Sequence, residues 1–252
     1  MKVPDFTKLA SIKSREHIRE RITPKLGDSL YLHLSDLLHA MTLFATEEAI
    51  DILDFGAGAS PYRSLFPNAR YRRADFEIDG EDKLDYTLDE SLVIAESANS
   101  FDLIISTQVL EHVLEPIVYL RECRRLLRPK GKLILTTHGV FADHPCPLDL
   151  HRWTADGLLK LAKNSGFSDA YVKKLTIGPR ALLFLYDMHG RSMHRREASI
   201  FSAIFAIYYR FHLVFRPAIH RWADMFFPNS RISQCHAAAG DIYINLILCA
   251  AK

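Results

Sequence analysis

The chain has 252 residues, 48% of them hydrophobic, enough for one well-buried α/β domain with an insertion and short for two independent domains. Its 32 lysines and arginines against 30 acids leave a formal net charge of +2, which excludes the strong basic field of a general nucleic-acid binder. Four scattered cysteines, Cys123, Cys146, Cys235 and Cys249, form no C-x-x-C pair and are expected as reduced thiols. Residues 1–21 are charged and lack the apolar core of a secretory signal, so the expected location is cytoplasmic.

Residues 13–21 carry mixed charges at a spacing that allows i,i+4 pairs on a helix; a solvated face accounts for them, a membrane-surface or partner contact being the alternative. Asp28 or Ser29 is placed to cap a second helix with Leu30, Leu32, Leu34, Leu37 and Leu38 on one face. Residues 1–47 thus form N-terminal helices that pack on a sheet or cover a cleft. A buried strand with Ile50, Ile52 and Leu53 then ends on Asp54 and enters Gly56-Ala57-Gly58. Such a bare turn lets backbone approach a ligand at the carboxyl end of a strand, where open α/β sheets bind their ligands. A dinucleotide turn, G-x-G-x-x-G, would need a third glycine where this chain has Pro61, which disfavours a nicotinamide cofactor.

A short helix over 62–66 stops at Pro67. Residues 69–75 read as the second strand, ending on Asp75, about 20 residues past the turn, where a nucleotide fold needs a carboxylate for ribose hydroxyls. Residues 77–100 are acidic and irregular and read as a solvated loop. A strand over 101–106 leads into Thr107-Gln108-Val109-Leu110-Glu111-His112-Val113, and a helix over 115–127 carries its arginines on a wet outer face. The fifth strand, 132–137, opens into a loop from His138 to Thr154 rich in groups that bind or move protons. Thr154 caps a helix over 155–164, Gly166 ends it, and a strand follows over 170–175.

Three of these stretches resemble one family. Asp54-Phe55-Gly56-Ala57-Gly58 resembles the D-x-G-x-G turn of class I S-adenosylmethionine-dependent methyltransferases. Phe101-Asp102-Leu103-Ile104, followed by Val109-Leu110-Glu111-His112-Val113, resembles their fourth-strand region. Leu126-Leu127-Arg128-Pro129-Lys130-Gly131-Lys132-Leu133 resembles their L-K-P-G-G-x-L turn, with Lys130 at the first glycine, a departure expected to matter little on a surface turn. His151-Arg152-Trp153-Thr154 with Ser165-Gly166-Phe167 is similar to a subset of the family, and the resemblance covers roughly residues 48–175. It implies a Rossmann-like α/β fold, with a seven-stranded, mostly parallel sheet, an antiparallel last strand and here a helical insertion before it. It also implies S-adenosyl-L-methionine as cofactor. By position in the family, Asp54, Gly56, Ala57 and Gly58 shape the methionine end and Asp75 holds the ribose. Phe76 then gives an adenine face, Asp89 (with Asp85 as second choice) the adenine amino contact, and Gln108 the loop near the reacting centre.

The expected reaction is O-methylation of a small molecule or glycan. The alternatives are methylation of a hydrophobic lipid or quinone-like acceptor and a catalytically silent binding subunit. An alcohol acceptor needs a proton acceptor, and the candidates are His138, His144 and His151 at the carboxyl side of the sheet. His138 directly follows its strand and comes first; His112 is a weaker candidate, and a loop merely tied by hydrogen bonds is the plain alternative. Arg152 is placed to hold an acidic substrate group or Asp149. No metal is expected, because the spacing of His138, Asp143, His144, Cys146, Asp149 and His151 matches no zinc signature. The core, residues 48–178, is followed by an aromatic helical insertion, 179–239, that serves as lid, homodimer face or peripheral membrane contact. Residues 240–252 return as the last core strand.

Overall fold

The computed structural model describes residues 18–76, 83–144, 148–193, 200–233 and 241–252. Seven strands form one sheet: β1 (Asp51–Phe55), β2 (Arg70–Asp75), β3 (Tyr86–Thr87), β4 (Phe101–Thr107), β5 (Leu127–His138), β6 (Asp169–Ile177) and β7 (Tyr243–Ala251), in the order β3-β2-β1-β4-β5-β7-β6. The first five run parallel, and β7 inserts antiparallel between β5 and β6. All five residues of β1 are buried, as a strand covered on both faces requires. The order of strands reverses between β1 and β4, so the carboxyl ends of those two strands border the crevice where open sheets take ligands.

Helices α2 (Pro116–Leu126) and α3 (Ala155–Asn164) cover one face through Tyr119, Leu120 and Leu158, packed with Phe55, Phe101 and Phe167. Helix α1 (Tyr31–Thr42) covers the other through Leu37 and Met41, with Tyr62, Phe66 and Ile247. Each fully buried Leu, Ile, Met or Phe here stabilises the fold by about 1.5–3 kcal/mol relative to exposure. The insertion supplies α4 (Gly178–Met193) and α5 (Ile200–Phe226). Ala181 and Phe184 of α4 and Ala223 of α5 pack with Leu32 of α1 and Ile244 of β7. Arg180, fully buried, donates to both Asp36 oxygens at 2.9 and 2.6 Å and to Asp224 at 2.9 Å, and Arg231 bridges the same two acids. Insertion and N-terminal helix are thus pinned together.

Several elements differ from the sequence reading. Leu30, without a side-chain bond, precedes α1; Asp28 offers its carbonyl to the Tyr31 amide at 3.0 Å, so neither Asp28 nor Ser29 caps the helix. The segment after Pro61 is a single 3-10 turn, Arg63–Leu65, too short to bury an α-helical face. Within the acidic stretch lies β3, a two-residue strand beside Ala74 and Asp75. The arginines of α2 are not simply solvated: Arg125 donates to Glu122, Glu96 O and Ile94 O, and Arg124 to Gly166 O, tying the loop before β4 and the end of α3 to this helix. Thr154 caps α3 by accepting from the Gly157 amide at 3.1 Å, and Gly166 follows at φ +98°. Lys130 takes φ +69°, the left-handed conformation that makes glycine usual there. Cys123 and Cys249 are buried free thiols; Cys146, Cys235 and residues 13–17 lie outside the described residues.

Candidate active site

After β1 the chain turns at Gly56 (φ +75°) and Gly58 (φ +46°). The amides of Gly56 and Ala57 both donate to Ala74 O, at 2.8 and 3.1 Å, strapping the turn to the end of β2. A Cβ on Gly56 would lie 2.5 Å from Val109 Cγ2, so bare backbone is needed for packing. At Gly58 a Cβ would meet nothing within 4 Å, and the space above it is open to a ligand. The Gly58 amide donates to Asp75 Oδ2 at 2.6 Å, and Asp75 Oδ1 accepts from the Phe76 amide at 2.8 Å. Asp75 is thereby fixed beside the turn, with acceptor capacity left on both oxygens. Burial raises its carboxyl above the ordinary pKa, the two amides opposing.

Asp54, buried at the end of β1, accepts from the Tyr71 hydroxyl at 2.6 Å. Burial drives its pKa up to about 7; hydrogen bonds from Tyr71 and Ser60 oppose this and the charge of Asp75 adds to it. Arg73 is paired with Asp54 across β1 and β2 and donates to Gly58 O at 2.5 Å and Ser60 Oγ at 2.9 Å. A buried guanidinium therefore holds the turn from beneath, a role the sequence reading missed.

Gln108, at φ +59°, donates its amide to Thr136 O at 2.9 Å and its side-chain nitrogen to Thr136 Oγ1 at 3.1 Å, while its buried Oε1 has no hydrogen-bond partner. Phe76 is half exposed beside Asp75. Asp89 is exposed, and one of its oxygens is taken by the Ser91 amide and hydroxyl at 2.9 and 2.5 Å. Asp85 accepts from the Arg73 amide at 2.8 Å and so clasps β2.

β5 ends on His138, which is 2% exposed. Asn245 Nδ2 lies 2.6 Å from His33 Nδ1, so that amide nitrogen donates and Asn245 Oδ1 accepts from His138 Nδ1–H at 2.9 Å. The lone pair of His138 is left on Nε2, 3.1 Å from Glu111 Oε1 but not aligned as a hydrogen bond. Burial, reinforced by His33 and His144, lowers His138 to about 2, so the ring is neutral. Glu111 is fully buried; one oxygen accepts from Thr137 Oγ1 at 2.8 Å, and burial raises its pKa. His144 is partly open, its Nδ1 3.1 Å from Ala142 O and its ring edge-on to His138 and His112 at 4.8 and 5.0 Å.

His138 and His144 are thus brought together with Glu111, whereas His151 is turned away, its Nε2–H donating to Val113 O at 3.0 Å beside Trp153. Arg152 makes a two-armed ion pair with Asp149, both arms at 2.6 Å, and donates to Phe141 O and Ala142 O, closing the loop on itself. Glu111, His138 and His144 each bring one ligand-type atom within 4.8 Å of the others, as do His112, His144 and Asp149. Linear spacing hid these groupings because Glu111 and His112 follow β4, whereas His138 ends β5 and His144 and Asp149 follow it.

A sheet with this switch point, this bare turn and these two acids defines a nucleoside-binding α/β class, and residues 29–171 match the family model described as a methyltransferase domain. The chain belongs to that family, the class I S-adenosylmethionine-dependent methyltransferases. It is 28% identical over 127 residues to the ubiquinone biosynthesis O-methyltransferase of Roseobacter denitrificans, covering 44% of this chain and 50% of that protein. To the enzyme of the same name from Dinoroseobacter shibae it is 29% identical over 162 residues, 57% of this chain and 63% of that one. The chain thus spans about half to just under two thirds of these relatives. Haemonchus contortus phosphoethanolamine N-methyltransferase 2, solved with S-adenosyl-L-methionine, shares the fold at TM-score 0.52 and 18% identity, over 99% of this chain and 60% of that one. The [4+2]-cyclase SpnF shares it at TM-score 0.50 and 15% identity, over 100% and 97%. The fold alone therefore does not set the reaction.

Proposed function

We propose that this chain transfers a methyl group from S-adenosylmethionine to an oxygen of a small-molecule or saccharide acceptor. The observation that carries the reading is the Glu111–His138–His144 group at the carboxyl ends of β4 and β5, the same edge of the sheet from which the Gly58 turn leaves β1. Three features fit the nucleoside: open space over Gly58, spare acceptor capacity on Asp75, and the orphaned Oε1 of Gln108. When bound, the cofactor supplies a methyl on its own leaving group, so little electrophilic assistance is required of the protein. The chain's part is to position, to exclude water and to take a proton. Asp75 accepts from the ribose hydroxyls, Asp54 stands by the positively charged end, and Gln108 Oε1 accepts from the bound molecule. Phe76 offers an adenine face, and Asp89, one oxygen held by Ser91, has the other for the adenine amino group.

The acceptor hydroxyl must lose its proton as the methyl arrives. His138, sealed and held neutral with a pKa of about 2, is a poor acceptor of it. His144, open on one side, takes that part, oriented by Ala142 O and Asp149 Oδ2, which lie 3.1 and 3.4 Å from its Nδ1. His144→Gln is expected to lower kcat about a hundredfold or more with cofactor affinity unchanged; full turnover in this variant would overturn the assignment. Incubation with methyl-labelled cofactor and the polar and lipid fractions of a host extract, followed by identification of the labelled product, tests the acceptor class. A second reading, a quinone-like acceptor, is favoured by the two O-methyltransferase relatives and expects label in the lipid fraction. Cofactor binding with no labelled product in any fraction is the outcome expected of a silent binding subunit.

A further inference from the structure

Helix α5 is inverted relative to an ordinary surface helix. One polar side faces the protein: His212 and His220 Nε2 both pair with Asp187, the latter at 2.7 Å, Arg216 lies 3.6 Å from the same carboxylate, and the Tyr209 hydroxyl donates to Asp187 O at 3.1 Å. Most of its large apolar residues face outward. Ile200, Ile204, Ile207, Phe211, Val214 and Trp222 recur every three or four residues, or multiples of that, along one side, from 47% exposed at Trp222 to 74% at Ile200. The helix is 27 residues long, and from Ile200 to Trp222 the stripe runs about 33 Å. A soluble helix shows the reverse arrangement, and single exposed apolar residues need no partner but a continuous stripe does. No helix among the described residues is long and apolar enough to cross a membrane.

The charges on α5 say what covers the stripe. Arg210 and Arg221 are exposed and share a ridge with Val214, at its edge. The one acid in α5, Asp224, is turned inward to Tyr31, Arg180 and Arg231. An isologous pairing of two such faces would gather four arginines with no carboxylate from either face to neutralise them. An anionic surface with an apolar interior satisfies both features.

We infer that α5 lies in the plane of an anionic phospholipid bilayer, its apolar stripe among the acyl chains and Arg210 and Arg221 at the phosphates. This seats the protein on a membrane whichever acceptor the active site takes. The test is co-sedimentation of the full chain with vesicles of phosphatidylglycerol mixed into phosphatidylcholine, against phosphatidylcholine alone. Binding is expected to rise with the anionic fraction and fall with salt. Ile207→Ser with Phe211→Ser should reduce it at least tenfold, and Arg210→Glu with Arg221→Glu should abolish the anionic preference. Each variant should keep its circular dichroism and its calorimetric affinity for S-adenosylmethionine, so loss of vesicle binding and loss of the methyltransferase site are read separately. Wild-type protein that stays in the supernatant at every composition overturns the inference. So does a concentration-dependent dimer, seen by light scattering, that Phe211→Ser converts to monomer, since a second copy would then own the stripe.

Discussion

At Gly56 a methyl group would enter the Val109 side chain, whereas at Gly58 it would enter open space. Gly56→Ala is expected to lower unfolding free energy by about 1–3 kcal/mol through overpacking. Gly58→Ala should cost about 1 kcal/mol through its left-handed φ yet lose cofactor affinity at least tenfold by calorimetry; unchanged affinity would mean that this turn is not the cradle. Asp54 gives the site a pH dependence. Its folded pKa, about 7, stands above the ordinary 3.8, so in the free protein stability falls as pH rises from about 4 through 7. A cationic ligand favours the carboxylate, so binding draws off a proton and affinity rises between pH 6 and 8. Calorimetry in buffers of different ionisation heat should show that proton release in the wild type and its loss in Asp54→Asn. The acids and glycines of the turn were legible in sequence because they lie within a few residues of one strand end. Arg73 and Glu111 were not: Arg73 reaches the turn only through the β1–β2 register, and Glu111 meets His138 only where the loop after β4 passes the end of β5.

Among elements, the docking of α4 and α5 on α1 hinges on one buried guanidinium. Asp36 and Arg180 stand 144 residues apart, a separation at which no local pattern speaks, which is why the insertion could be read as aromatic and helical but not placed. Removing one partner of a buried pair leaves the other charge uncompensated, so Arg180→Met is expected to cost about 3–5 kcal/mol. Joining it to Asp36→Leu should recover part of that loss. The urea midpoints of the two single variants and the double variant, at unchanged m-value, check this; strict additivity would refute the coupling. Short elements escaped for a different reason. The two residues of β3 show no periodicity of their own, and only the neighbouring edge of β2 makes them a strand. Where a pattern ran for a full element, as in β1, β4 and α3, sequence and structure agree to within a residue or two.

For the whole molecule, a ligand that binds only the folded state stabilises it by mass action, about 2.7 kcal/mol at a hundred times Kd. Saturating S-adenosylmethionine should therefore raise Tm by several degrees, and NAD should leave it unmoved; the opposite pattern in a thermal-shift series would overturn the cofactor assignment. The position of β7 carries one more consequence. It is the seventh of the sheet's strands in chain order, yet it sits inside the sheet, with β5 on one side and β6 on the other. On the ribosome, β6 has therefore left the exit tunnel long before its pairing strand is translated, and two open strand edges wait while α4 and α5 are synthesised. Such a nascent chain is a natural client for chaperones, and closure of the sheet is timed by the delivery of the nine-residue β7.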